Sequence, residues 1–295
     1  KPIYYDNWDI DIYYTEKGWD LTGVSRMEWT ANGPLFAELT IERDFMQSRM
    51  KQRIRFYAED RRIDFDTWVD WHEHQTLLKV FMPADVHTDE ASFDVQFGNV
   101  TRKTHANTSW DQARFESCGQ KWADLSEGGY GVSILNDCKY GHSVKESELS
   151  LTLIKSGIEP NPNTDNEEHV FTYSLYPHAG GWKEGGTQAE AIRLNQPMTA
   201  VAGGQAGNAF SFVSADHENV ILETVKAAEN GDGVILRVIE EQNKRTNVTL
   251  TLGHEVSSAE DCDLMENKTG EVDVEGRTLS FTIRPYEIKT IRVRF

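Results

Sequence analysis

Two histidines and two carboxylates stand close together in Asp70-Trp71-His72-Glu73-His74, and a cluster of that kind invites a metal ion. Its spacing opposes the helical zinc motif. H-E-x-x-H puts both imidazoles on one helix face at i and i+4, whereas His72 and His74 are two apart and share a face only on a strand. A strand HxH pair would still need a third ligand, and no neighbouring residue identifies one. With Trp68 and Trp71 beside it, the segment reads as an aromatic-rich sheet strand, and no metal ligand is assigned.

A second concentration of chemistry runs from Asn107-Thr108-Ser109-Trp110-Asp111 through Lys121-Trp122-Ala123-Asp124 and Gly128-Gly129-Tyr130-Gly131 to Asn136-Asp137-Cys138-Lys139-Tyr140. Polar, aromatic and glycine residues alternate here as sugar sites require. Aromatic faces cover the apolar side of a pyranose, while carboxylates and amides take its hydroxyls. The same residue types also fill sandwich cores and turn hairpins, so the pattern nominates candidates without assigning them. Paired carboxylates abound in so acidic a chain, and a glycosidase pair is defined by separation in space, which sequence spacing does not report. There is no G-x-S-x-G elbow, no P-loop and no G-x-G-x-x-G after a strand. Asn99, Asn107, Asn247 and Asn267 head N-x-S/T triplets, a pattern common by chance.

The elements that must position these residues are strands. Period-two alternation marks Ala37 to Glu42, Gln52 to Tyr57, Ile63 to Trp68 and Ser92 to Phe97 as half-buried strands. Further candidates cover 130–138, 148–154, 169–176, 209–214, 220–225, 234–240, 247–252, 278–283 and 288–295. Short β-branched segments at this density, with turn residues between them, predict an all-β sandwich architecture and not a wound α/β sheet. One helix is expected, where Thr187-Gln188-Ala189-Glu190 forms a T-x-x-E capping-box pattern ahead of Ala191 to Leu194. Ala202-Gly203-Gly204-Gln205-Ala206-Gly207 reads as a passage between domains, which sets a domain at 1–205 and a small immunoglobulin-like sandwich at 206–295.

Charge removes whole classes of partner. The 295 residues carry 48 Asp and Glu against 30 Lys and Arg, a formal charge of −18. Such a surface repels phosphate backbones and anionic membranes, so neither nucleic acid nor membrane is an expected partner. No stretch approaches the roughly 18 apolar residues of a membrane span. Cys118, Cys138 and Cys262 are an odd number without C-x-x-C spacing, which favours a reducing, cytoplasmic setting. The opening Lys1-Pro2-Ile3-Tyr4-Tyr5-Asp6 contains no Met and reads like the middle of a longer protein.

Several long strings carry a resemblance: Tyr5 to Asp11, Asp66-Thr67-Trp68-Val69-Asp70-Trp71-His72-Glu73-His74, Phe97-Gly98-Asn99-Val100, Asn107 to Asp111, Lys121 to Gly131, Leu135 to Gly141 and Phe171 to His178. Together they resemble the carboxy-terminal part of class II α-mannosidases of the bacterial type, glycoside hydrolase family 38, over essentially the whole chain. The resemblance implies a β supersandwich like that of galactose mutarotase, its earliest strands missing, followed by a smaller sandwich. It also implies that the nucleophilic aspartate and the His/Asp zinc ligands belong to a preceding catalytic domain with no counterpart here. No catalytic residue and no cofactor are therefore expected on this chain, and zinc is expected only in that absent domain.

The parent would be a retaining, zinc-dependent hydrolase of α-mannosides. This portion would be inactive alone, would pack on its own N-terminal catalytic domain and would line part of the cleft. The substrate-adjacent candidates are then Trp110, Trp122, Asp124, Asp137, Lys139 and Tyr140. On a strand reaching Cys138, Asp137 and Lys139 share the face expected to meet the cleft, with Asn136 turned inward. Uncovered strand edges predict a tendency to self-associate. The alternative is a stand-alone carbohydrate-binding or mutarotase-like module, in which His142 or His178 would have to converge with Asp137 on a sugar.

Overall fold

Strands β1 (Arg26–Asn32), β2 (Phe36–Phe45), β3 (Ser48–Tyr57) and β4 (Ile63–Asp70) open an antiparallel sheet, and burial alternates along the first half of β3 as the sequence pattern does. In β3, Ser48, Met50 and Gln52 are buried while Arg49, Lys51 and Arg53 face water. The computed structural model describes residues 4–204, 207 and 209–295. Its chain divides into two units: the first runs to Val95 and resumes over Val100–Met198, and the second holds Gln96–Asn99 and Thr199–Phe295. Gln205 and Ala206, at the centre of the expected passage between domains, lie outside the described residues.

The first unit adds β5 (Thr76–Pro83), β6 (Glu90–Val95), β7 (Gly98–Lys103, of which Val100 onward belongs to this unit), β8 (Ser117–Cys118), β9 (Trp122–Ser126), β10 (Tyr130–Asn136), β11 (Gly141–Lys145), β12 (Glu148–Ser156) and β13 (Glu168–Ala179). Nine strands form one sheet in the order β1-β2-β3-β4-β13-β10-β9-β6-β7, and four form another, β5-β12-β11-β8. Between them lies a core in which Val69, Trp71, Phe93, Leu125, Ile134 and Phe171 of the large sheet and of the loop after β4 meet Leu78, Met82, Leu149 and Leu151 of the small one. In the second unit, Val213–Ala215, Thr246–Leu252, Thr278–Ile283 and Asp273–Glu275 make a sheet in that order. A second sheet there runs Val220–Ala227, Val234–Glu240, Ile288–Arg294, Ser258–Cys262 and Lys268–Glu271. Leu236, Val248, Leu250, Leu279 and Ile291 pack in its core. The all-β expectation holds.

Three local expectations change. The strand expected through His74 ends at Asp70, because the Glu73 carboxylate turns inward to accept from Gln47 N at 2.9 Å and Ser48 Oγ at 2.7 Å. The segment expected to run to Cys138 ends at Asn136. Helix α3 (Thr187–Asn195) forms where expected, after α1 (Ser109–Gln112) and α2 (Trp182–Gly185), yet Thr187 does not cap it. Gly186 holds the cap position at φ 74°, and the Thr187 hydroxyl pairs with Ser133 instead. A reciprocal capping box occurs at α1, between Thr108 and Asp111.

Candidate functional site

The loop after β10 is built by one side chain. Asn136 is buried; its amide donates to Gln120 O at 2.9 Å while its Oδ1 accepts from Lys139 N at 2.7 Å, which folds 136–139 into a turn. Asn136 is inward, as expected, but the strand alternation that paired Asp137 with Lys139 does not apply beyond it. Asp137 is exposed and bound to the backbone of Thr172, whose N donates to its Oδ2 at 3.0 Å. Lys139 lies half-buried with its ammonium 4.3 Å from the centroid of Phe171. Tyr140 is 55% exposed, and Trp110, on α1, is 77% exposed. The Cys138 thiol is pushed up to about 11, first by partial burial and then by the adjacent Asp137.

Trp122 and Asp124 occupy the interior, on the face of β9 and β10 that α2 and α3 cover. The Trp122 ring lies 4.9 Å from that of Trp182, and its indole N–H donates to the Gln188 side chain. Asp124 Oδ2 accepts from Ser133 Oγ at 2.8 Å and stands 2.7 Å from His178 Nε2, while Ser126 donates to Oδ1. Ser133 Oγ is in turn 2.8 Å from Thr187 Oγ1 and 3.2 Å from His178 Nε2. The residue types are those of a hydrolase triad, but the wiring is not. A triad histidine joins serine and carboxylate through its two different nitrogens. Here both approach Nε2, serine donates directly to the carboxylate, and the imidazole is closed to solvent. The cluster is a polar knot that ties α3 to the sheet, and Gly131 leaves it room, since a Cβ there would stand 2.3 Å from His178 Cε1.

The mutarotase constellation is not assembled. His178 is committed to Asp124, and His142 is fully buried, its pKa pulled down to about 3 by burial and then by Lys79 and Arg102. His72 and His74 are both exposed, with His72 Nε2 2.8 Å from Asp70 Oδ1. Among the described residues no group of three or more His, Cys, Asp or Glu side chains could hold a metal ion.

One polar cluster has no counterpart in the sequence reading. Glu116 Oε1 accepts from the Tyr14 hydroxyl at 2.5 Å and from Lys79 Nζ, and Lys79 also donates to Thr152 Oγ1 at 3.1 Å. Burial lowers the Lys79 pKa against the pull of Glu116, and burial and then Glu116 raise that of Tyr14. The four residues lie far apart in sequence and meet because the β5–β12 register sets Lys79 opposite Thr152. The only sign in the sequence is a lysine inside the apolar run Leu77-Leu78-Lys79-Val80-Phe81-Met82.

The fold and its internal polar knot define a region built from β-sandwich units. The family model for the glycosyl hydrolases family 38 C-terminal domain matches residues 1–163, and that for the family 38 C-terminal beta sandwich domain matches residues 219–291. The chain belongs to glycosyl hydrolase family 38, within its C-terminal region. It is 35% identical to alpha-mannosidase 2C1 of Homo sapiens, an alignment covering 98% of this chain and 29% of that protein. It is 34% identical to alpha-mannosidase G of Dictyostelium discoideum, over 98% of this chain and 28% of that one. The chain thus spans less than a third of the length of these relatives. Its fold is shared by the crystal structure of an alpha-mannosidase from Enterococcus faecalis V583, with a TM-score of 0.78 at 16% identity, over 92% of this chain and 35% of that one.

Proposed function

We propose that this chain is the carboxy-terminal β region of a retaining, zinc-dependent α-mannosidase, that it buttresses the catalytic domain and that it lends side chains between Trp110 and Tyr140 to the cleft. The observation that carries the reading is the ordered match of both C-terminal family models, together with alignment along 98% of the chain to proteins named alpha-mannosidase. The side-chain chemistry supports a non-catalytic role. Retaining hydrolysis needs two carboxyl groups about 5 Å apart flanking the scissile bond, one of them free to attack. Of the candidate carboxylates, Asp124 is held by Ser126, Ser133 and His178, and Asp137 by the Thr172 backbone. Zinc does not fit any cluster among the described residues, and on this reading it belongs to the preceding catalytic domain. A cytoplasmic setting belongs to the same proposal and rests on the three free cysteines.

The test compares this chain with the longer protein it aligns to, using an aryl α-mannoside with and without added zinc. The expected result is zinc-dependent turnover by the longer protein and none by this chain. Turnover by the isolated chain that is lost in Asp137→Asn would overturn the non-catalytic reading.

A further inference from the structure

On the outer face of the four-stranded sheet, where β5, β8, β11 and β12 meet the segment around Ile10, lies an open pocket of about 380 Å³. That volume is within the range of small-molecule sites. Ile10, Leu77 and Tyr140 supply an apolar wall, and Glu116, Thr152 and Lys155 supply polar groups. Lys155 is already committed, its ammonium donating to Asp6 O. Glu116 and Thr152 are half committed. The bonds from Tyr14 and Lys79 both fall on Glu116 Oε1, and among the described residues none falls on Oε2. Thr152 Oγ1 accepts from Lys79, which leaves its own proton free to donate. The pocket therefore presents a fixed acceptor and a hydroxyl donor.

The electrostatics and the space restrict the ligand. Glu116 and Lys79 neutralise each other, and the carboxylates of Asp6, Asp9 and Asp165 offset the Lys155 ammonium, so an anion would meet the open carboxylate oxygen and a cation would compete with Lys79. A neutral ligand avoids both penalties. Gly141 keeps the floor open, since a Cβ there would stand 3.2 Å from Thr152 Cβ and 4.0 Å from Glu116 Oε2. Hydroxyl recognition on one side and an exposed tyrosine ring with two aliphatic side chains on the other suit a pyranose.

We infer that this pocket is a binding subsite for one ring of a neutral saccharide, with Glu116 Oε2 and Thr152 Oγ1 holding hydroxyls and Tyr140 covering the apolar face. Identifying the sugar as an α-mannoside rests on the function proposed above. The experiment titrates the full 295-residue chain with methyl α-mannoside, an α-linked mannobiose, methyl α-glucoside and cellobiose, followed by calorimetry and NMR shifts. Saturable mannoside binding is expected, weakened about tenfold or more in Tyr140→Ala and in Glu116→Gln. Tyr140→Ala, at an exposed position, should keep the wild-type melting temperature, so its loss of binding is not a folding failure. No saturation with any sugar, or saturation untouched by both substitutions, overturns the subsite. If that happens while the longer protein still hydrolyses mannosides, the subsite alone has failed. Equal Tyr140-dependent binding of the glucoside and cellobiose upholds the pocket and overturns its assignment to mannosides.

Discussion

His142 shows what alternation conveys and what it leaves out. On β11, Gly141 and Ser143 are half-buried while His142 is buried completely, against the edge of Phe93 and without a hydrogen-bond partner on either ring nitrogen among the described residues. A polar-looking segment gave no sign of that depth, so the sequence offered His142 as a sugar-binding candidate. Its pKa of about 3 in the fold stands against about 6.5 in an unfolded chain. Above the unfolded value the imidazole is neutral in both states and has no effect. As pH falls below about 6.5, the unfolded chain takes a proton that the folded one refuses, and stability declines toward pH 3 at ~1.4 kcal/mol per unit. Between pH 7 and 5, urea unfolding of the wild type should therefore lose about 2 kcal/mol more than that of His142→Leu. Parallel pH dependences in the two proteins would mean that His142 is not buried as a neutral group. Trp122 and Asp124 carry the same lesson: their residue types were legible, and their enclosure was not.

At the scale of elements, legibility followed burial on one face. Strands β3 and β4 alternate and are legible, whereas β9, buried on both faces between the core and α2 with α3, loses the period and is not; β10, buried in the same way, is legible only as the short β-branched run within 130–138. Strand ends were lost for another reason. Asn136 and Glu73 stop their strands through side-chain bonds to backbone or to residues distant in sequence, and no local pattern announces such partners. The helix at Thr187 was legible from its composition, but its attachment was not. Since the Thr187 hydroxyl joins α3 to Ser133, and through it to Asp124 and His178, Thr187→Val should leave Ser133 short of a partner in the dry interior. The expected cost is about 1–3 kcal/mol in chemical denaturation, with far-UV circular dichroism unchanged. A variant as stable as the wild type would show that the knot does not hold the helix. In that case the apolar contacts of Trp122, Leu135, Trp182 and Ala191 would carry the attachment.

Within the first unit as a whole, a sheet of nine strands faces a sheet of four, and one sandwich cannot cover both ends of the larger partner. Edge strand β1 is exposed on most of its length. On its core-side face Met27 is 58% and Trp29 63% exposed, with Phe56 of the neighbouring sheet region beside Trp29 at 6.2 Å between rings. The opposite face is well matched, with Arg49 2.6 Å from Glu42 and Arg55 2.7 Å from Glu38. An unpaired edge beside an apolar patch is a template for another chain, and on the proposed reading it is a surface available to the catalytic portion. The net charge of −18 opposes contact between copies, but it acts through a potential that salt screens to within about 8 Å at physiological strength. The 295-residue chain should therefore associate with itself, and more strongly as salt rises. Trp29→Lys, which puts a charge in the middle of the patch without touching the core, should shift light scattering back toward the monomer mass. A wild-type chain that stays monomeric at high concentration, in both low and high salt, would show that β1 does not act as a sticky edge.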